Sequence, residues 1–191
     1  MVDEFSSFAR MPAPVLKPED VTTIVEQAVF LQRTAQPEIE FEFRFAERPL
    51  ALRCDARLVG QAVINIVKNA IESIEARMVE SGKNPPGQIR VAVGERDGHV
   101  VVVVEDNGKG LPQDGRERLT EPYVTTRSKG TGLGLAIVKK IMEDHQGELT
   151  LSDREQGGAR VRLVFAGDAH PISPAGLPAV PAELSSVTHG A

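Results

Sequence analysis

The stretch Val100-Val101-Val102-Val103-Val104-Glu105-Asp106-Asn107-Gly108-Lys109-Gly110 passes from unbroken apolar to charged and glycine-rich in a single step. Five consecutive valines leave no polar face, so residues 100–104 read as a strand at the centre of a sheet. A carboxylate at the end of such a strand, followed by spaced glycines, lets a ligand come close to the backbone. Asp106 is placed to accept a hydrogen bond from an amine on a flat heterocycle. The same residues also suit an Asx or Asn-Gly turn that holds nothing.

Working outward, residues 89–94 and 100–104 form strands around the Asp97-Gly98 turn. Upstream, Asp55 is a helix cap. The apolar positions Leu58, Val59, Ala62, Val63, Ile66, Val67, Ala70, Ile71 and Ile74 then mark a long amphipathic helix to about residue 79. Within it, Asn65 and Asn69 are four residues apart and share one face. An unpaired buried amide is costly, so one carboxamide oxygen is a candidate holder of a hard cation or a polar ligand group. Two surface amides are the plainer reading.

Before that helix, residues 18–35 read as another helix, with Pro18, Glu19 and Asp20 in its first turn. Residues 39–45 then alternate Ile, Phe, Phe, Phe with Glu, Glu, Arg, the period of a half-buried strand. Residues 50–54 are a second strand, expected to pair with it as an antiparallel hairpin through the turn near Pro49.

Downstream, residues 106–132 form a long loop, and long ordered loops in compact domains are usually functional. Arg127-Ser128-Lys129-Gly130-Thr131-Gly132-Leu133-Gly134-Leu135 closes it and opens a helix running to about Asp144. Glycines permit close backbone approach, and a helix N-terminus offers free N–H groups and a positive dipole end to a phosphate. The spacing is neither a P-loop nor a dinucleotide-binding fingerprint. A structural glycine hinge is the alternative. Strands at 148–152 and 160–165 flank the Gly157-Gly158 turn. The order of elements predicts a two-layer α/β sandwich. One mixed or mostly antiparallel sheet is covered on one face by about three helices.

Composition narrows the function classes. Among 191 residues, 22 Lys and Arg against 27 Asp and Glu give a net charge of −5, which argues against a nucleic-acid surface. With one Tyr, seven Phe and no Trp, an aromatic base-stacking platform is not expected. The lone Cys54 rules out a disulfide framework or a cysteine zinc cluster. No apolar run reaches the roughly 20 residues that span a bilayer, and the N-terminus lacks a basic-then-apolar leader. A cytoplasmic setting without membrane contact by this chain is expected, including as the cytoplasmic part of a membrane-anchored sensor. Residues 1–16 read as the end of a longer helix or linker, residues 17–166 as one domain, and residues 167–191 as a disordered tail.

Taken together, the motifs resemble the Bergerat-type ATP-binding domain of sensor histidine kinases, gyrase-type topoisomerases, large heat-shock chaperones and mismatch-repair ATPases. Asn65–Asn69 resembles the kinase N box, and Asp106-x-Gly108-x-Gly110 the first glycine box. Residues 121–126 (Glu-Pro-Tyr-Val-Thr-Thr) are similar to the F box of the nucleotide lid, and Gly130–Gly134 to the second glycine box. The run from Pro122 to Ile137 most resembles two-component sensor kinases of the nitrogen-regulation type.

That resemblance implies that Asn69 holds Mg²⁺ bridging the ATP phosphates, with Asn65 nearby. Asp106 would accept from the adenine amino group beside Gly108 and Gly110. Thr125, Thr126, Arg127 and Lys129 would belong to the mobile lid. Gly130, Thr131, Gly132, Leu133 and Gly134 would present backbone to the phosphates. It further implies ATP and Mg²⁺ as cofactors, with dimerisation and phosphoacceptor helices and a response regulator receiver domain as partners.

Two departures stand out. Tyr123 replaces a common Phe. None of His99, His145, His170 or His189 has the acidic residue and Pro that follow the family's phosphoacceptor, so no catalytic residue is expected in this chain. Asn65 stands where the hydrolytic members carry a water-activating Glu, which disfavours ATP hydrolysis. A standalone Bergerat-fold interaction module or an anti-sigma-type kinase is the alternative reading.

Overall fold

A computed structural model describes residues 13–46, 48–81, 85–124 and 131–166. Residues 1–12 of the expected entry segment (1–16) and the expected tail (167–191) lie outside the described residues. β1 (Lys17–Asp20) pairs antiparallel with β3 (Ala51–Cys54) in a small two-stranded sheet. Asp20 ends β1 and caps α1 (Val21–Ala35). Its Oδ1 accepts the Thr22 and Leu50 amides, each at 3.1 Å, and its Oδ2 the Thr23 hydroxyl at 2.8 Å.

The main sheet contains β2 (Ile39–Phe45), β4 (Gly87–Arg96), β5 (His99–Asp106), β6 (Glu148–Asp153) and β7 (Ala159–Phe165). Its spatial order is β2-β4-β5-β7-β6, which puts the valine strand in the middle as expected. Only β2 and β4 are parallel. α2 (Ala56–Ser81) lies in the crossover between them, and α3 (Gly134–Asp144) precedes β6. The mixed sheet with its three helices is the two-layer architecture expected from the sequence.

Two local readings are corrected. The strand at 50–54 does not form a hairpin with 39–45; it pairs with residues 17–20, while β2 lies parallel to β4. Alternation fixes which face of a strand is buried and says nothing of its partner. Pro18 is not in a first helical turn. It lies in β1 opposite Arg53, and an edge strand tolerates a residue with no N–H.

Every position of the apolar stripe read along α2, from Leu58 to Ile74, is buried. It packs with Val100, Val102 and Val104 of β5, Ile137 and Ile141 of α3, and the inner residues of α1. Burying one such side chain fully stabilises by about 1.5–3 kcal/mol. Cys54 belongs to this core. Burial, followed by the nearby charges of Glu19 and Asp55, pushes its thiol up to about 11, so it stays a packing residue.

The other face of the sheet carries an ion ladder on consecutive strands. Arg90 Nε donates to Glu42 at 2.7 Å, Arg90 Nη1 to Glu105 at 3.3 Å, and Arg160 Nε to Glu105 at 2.5 Å. Registry puts these residues side by side.

Asp55 ties three segments together. Its Oδ1 accepts the Arg57 and Leu58 amides at the start of α2, at 3.1 and 3.2 Å, and its Oδ2 the Val15 amide at 3.1 Å. Its own amide donates to His145 Nε2 at 3.0 Å. The other ring nitrogen of His145 lies 2.7 Å from the Ile141 carbonyl, so the ring is a neutral tautomer with Nδ1 donating. His145 is thus structural.

Burial raises the Asp55 pKa, but the Val15 and Leu58 amides and the Arg57 charge more than offset this and hold it below the ordinary value. The stabilisation from the ionised carboxylate is therefore present above the unfolded-state value, near 3.9, and is lost as pH falls through the folded value. We expect Asp55→Ala to cost about 1–2 kcal/mol at neutral pH, shrinking on acidification. Urea unfolding at several pH values checks this.

Candidate functional site

The three motif segments converge on one cleft of about 510 Å³ between α2, the end of β5 and the start of α3. That volume is within the range of small-molecule sites. Asn65, Asn69, Asp106, Gly110, Thr131, Gly132 and Gly134 all line it. Gly108 and Leu133 are buried beside it. Thr125, Thr126, Arg127, Lys129 and Gly130 lie outside the described residues.

Each side chain is positioned by the element that carries it. Asn65, Asn69 and Ser73 fall at successive turns of α2, on the side not taken by the apolar stripe. Asp106 is the last residue of the central strand and only 4% exposed. Its Oδ1 accepts the Gly108 amide at 2.8 Å, closing an Asx turn that aims the chain across the cleft mouth. The turn and the cleft-lining role coexist. Asn107 pins the same turn to β4: its Oδ1 accepts the Gln88 amide at 2.8 Å and its Nδ2 donates to the Pro86 carbonyl at 2.8 Å. From behind, Arg154 Nη1 donates to the Asp106 carbonyl at 2.8 Å while its guanidinium lies 3.8 Å from Glu105.

Two glycines are required by space and conformation. A Cβ on Gly108 would sit 2.3 Å from Ser73 Oγ and 2.5 Å from the Ser73 backbone carbon, so α2 and the turn approach to glycine distance. Gly132 has φ of +67°, and a Cβ there would lie 2.6 Å from the Tyr123 backbone. Its carbonyl accepts the Tyr123 amide at 3.0 Å, and Tyr123 itself has φ of +65°. These contacts bring the N-terminus of α3 over the amide row: a Cβ on Gly134 would be 3.8 Å from the Asn69 side chain. Among the described residues no side chain caps α3, leaving its first N–H groups for an anion.

Two buried polar atoms in the cleft have no hydrogen-bond partner among the described residues, Asn65 Nδ2 and Ser73 Oγ. Buried polar atoms are normally satisfied, so a cleft holding such atoms fits a polar ligand. Burial is the largest influence on Asp106 and pushes its carboxyl above the ordinary aspartate value. The Gly108 and Ala159 amides, the Arg154 charge and the Ser73 hydroxyl act the other way without cancelling it. No cluster of three or more His, Cys, Asp or Glu suited to a metal occurs among the described residues. A cation here would need carboxamide oxygen and ligand oxygens, the donor set of a hard ion such as Mg²⁺.

Ser73, Lys109 and Arg154 were not singled out from the sequence. For Ser73 the signal was present, as it continues the four-residue spacing of Asn65 and Asn69.

Residues 54–168 match the family of histidine kinase-, DNA gyrase B- and HSP90-like ATPases. The chain belongs to this family. It is 51% identical over 177 residues to the nitrogen regulation protein NtrY of Azorhizobium caulinodans, covering 91% of this chain and 22% of NtrY. Across its NtrY-like relatives the chain spans about a quarter of their length, 22–26%. The solved mycobacterial sensor histidine kinase MprB shares the fold with a TM-score of 0.68 and 29% identity, covering 83% of this chain and 100% of that one. Full-length ShkA, solved in complex with AMPPNP, gives 0.71 and 27%, covering 90% of this chain and 36% of that one.

The raised Asp106 pKa has a stability consequence. A carboxyl whose folded value is raised contributes stability below its unfolded value and loses it as pH rises through the folded value. In the ligand-free chain, Asp106→Asn should match wild type in acid and become the more stable of the two toward neutral pH. Thermal melts of both proteins across that range test this.

Proposed function

We propose that this chain is the ATP-binding catalytic domain of a sensor histidine kinase of the nitrogen-regulation type. In this reading it binds Mg-ATP, and the γ-phosphate passes to a His on a dimerisation domain and then to an Asp on a response regulator. The carrying observation is the convergence of Asp106, the Asn65–Asn69 pair and the start of α3 on one cleft, where Asn65 Nδ2 is buried without a partner among the described residues. Support also comes from the family match and from ShkA, a relative solved with an ATP analogue. Residues 17–166 would form the domain. Its setting would be the cytoplasmic side of a sensor, and no described helix is long and apolar enough to cross a membrane.

Each residue has a chemical task in this reading. Asp106 accepts from the exocyclic amine of the base, and its buried site excludes competing water. Gly108 and Gly110 let the base approach the backbone. Asn69 offers its carboxamide oxygen to Mg²⁺, which supplies charge neutralisation at the phosphates when bound. Asn65, four residues earlier, points the second amide at the same region. Residues 131–134 direct main-chain N–H groups at phosphate oxygens. Thr125, Thr126, Arg127, Lys129 and Gly130 would complete the lid. With an amide at Asn65 there is no carboxylate at that position to activate water, which favours transfer over hydrolysis.

Titration of the 191-residue chain with Mg-ATP tests the reading. Saturable binding is expected, weakened at least tenfold in Asp106→Asn and unchanged on deletion from residue 167. Because the amine of the base favours the ionised carboxylate, affinity should fall as pH is lowered. The fall should begin above the ordinary aspartate range, in line with the raised Asp106 value. The chain alone should form no phosphohistidine, and adding dimerisation helices in trans should restore it. Absence of nucleotide binding in the wild type overturns the proposal.

A further inference from the structure

Ser73 lies one helical turn beyond Asn69 on the cleft side of α2. Its hydroxyl is buried and within reach of the Asp106 carboxyl, without a hydrogen bond of normal geometry to any described residue. It lies close enough to Asp106 to pull the carboxyl pKa down against the effect of burial. Its position is fixed: the Ser73 carbonyl accepts the Lys109 amide at 3.3 Å, and the missing side chain of Gly108 leaves the space that Oγ occupies. A carboxylate can only accept, whereas a hydroxyl can donate. The pair Asp106 and Ser73 therefore presents an acceptor beside a donor at one end of the cleft.

We infer that Ser73 is a second base-reading residue, donating to the ring nitrogen that adjoins the exocyclic amine of an adenine-type base. The inference rests on the adenine-nucleotide reading above and adds the source of its selectivity. An adenine edge offers an amine donor next to a ring-nitrogen acceptor, the complement of Asp106 and Ser73. A hypoxanthine or guanine edge offers a carbonyl next to a ring N–H. That edge turns an acceptor toward the Asp106 carboxylate, which can only accept, so the base cannot seat with its ring nitrogen against Ser73. A site built to pair with specific polar groups rejects an analogue that leaves them unpaired.

The test compares ATP with 1-deaza-ATP, which lacks the ring-nitrogen acceptor, and with inosine triphosphate. Binding to wild type and Ser73→Ala is measured by calorimetry with Mg²⁺ present. The substitution removes one atom, and Asp106 keeps its own Asx turn. We expect wild type to bind 1-deaza-ATP about five- to tenfold more weakly than ATP, and Ser73→Ala to lose a similar factor for ATP. Ser73→Ala should no longer distinguish the two, and its preference for ATP over inosine triphosphate should shrink by the same factor. A merely structural serine would weaken both nucleotides equally and leave the ratios unchanged. Unaltered ATP affinity in Ser73→Ala, or penalties that add, overturns the assignment while leaving nucleotide binding intact. Absence of wild-type ATP binding overturns both.

Discussion

A single helix in this protein has to satisfy two periodic demands at once. α2 must bury the stripe from Leu58 to Ile74 against the sheet and still keep Asn65, Asn69 and Ser73 facing a cleft. With 3.6 residues per turn, both rows advance together, so the amide row is held as rigidly as the core that anchors it. Everything else in the site is arranged around that fixed row. The central strand ends opposite its far end with Asp106, and α3 begins over its middle with Gly134. A site mounted on packed elements rather than on loops holds its geometry more precisely.

The sheet reinforces the same point from behind. Glu105 and Asp106 are neighbours in sequence but face opposite sides of β5. Glu105 meets Arg90, Arg154 and Arg160 on the outer face. Arg154 also donates to the Asp106 carbonyl. The strand end is thus held from the solvent side by paired charges and on the cleft side by the Gly108 and Asn107 bonds. The Gly108 and Ala159 amides and the Arg154 charge partly offset the burial of that carboxyl.

Much of this was legible in the sequence, for reasons tied to range. The valine run, the α2 stripe, the Asp55 cap and the spacing of Asn65 and Asn69 are local patterns, and local periodicity determines them. The partner of residues 50–54 was not legible. Strand pairing depends on segments 30 or more residues apart, and the alternation of residues 39–45 is compatible with either neighbour. The charge ladder was hidden for the same reason, since Glu42, Arg90, Glu105 and Arg160 become a row only once four strands are in register. Ser73 shares the four-residue spacing of Asn65 and Asn69, but its place against Gly108 shows only in the fold.

One contact noted as structural governs how the two helices of the site relate mechanically. His145, at the end of α3, receives the amide of Asp55 at the start of α2, while Gly134 at the other end of α3 lies beside Asn69. The helices are therefore antiparallel, joined by a side-chain bond at one end and, among the described residues, without a side-chain cap at the other. α3 has 11 residues, roughly 16 Å of lever arm. The imidazole bond sets the spacing of the two helices at one end, and the close approach of Gly134 to Asn69 sets it at the other. The width of the cleft beside Asn69 therefore depends on where the Gly134 end of α3 stands.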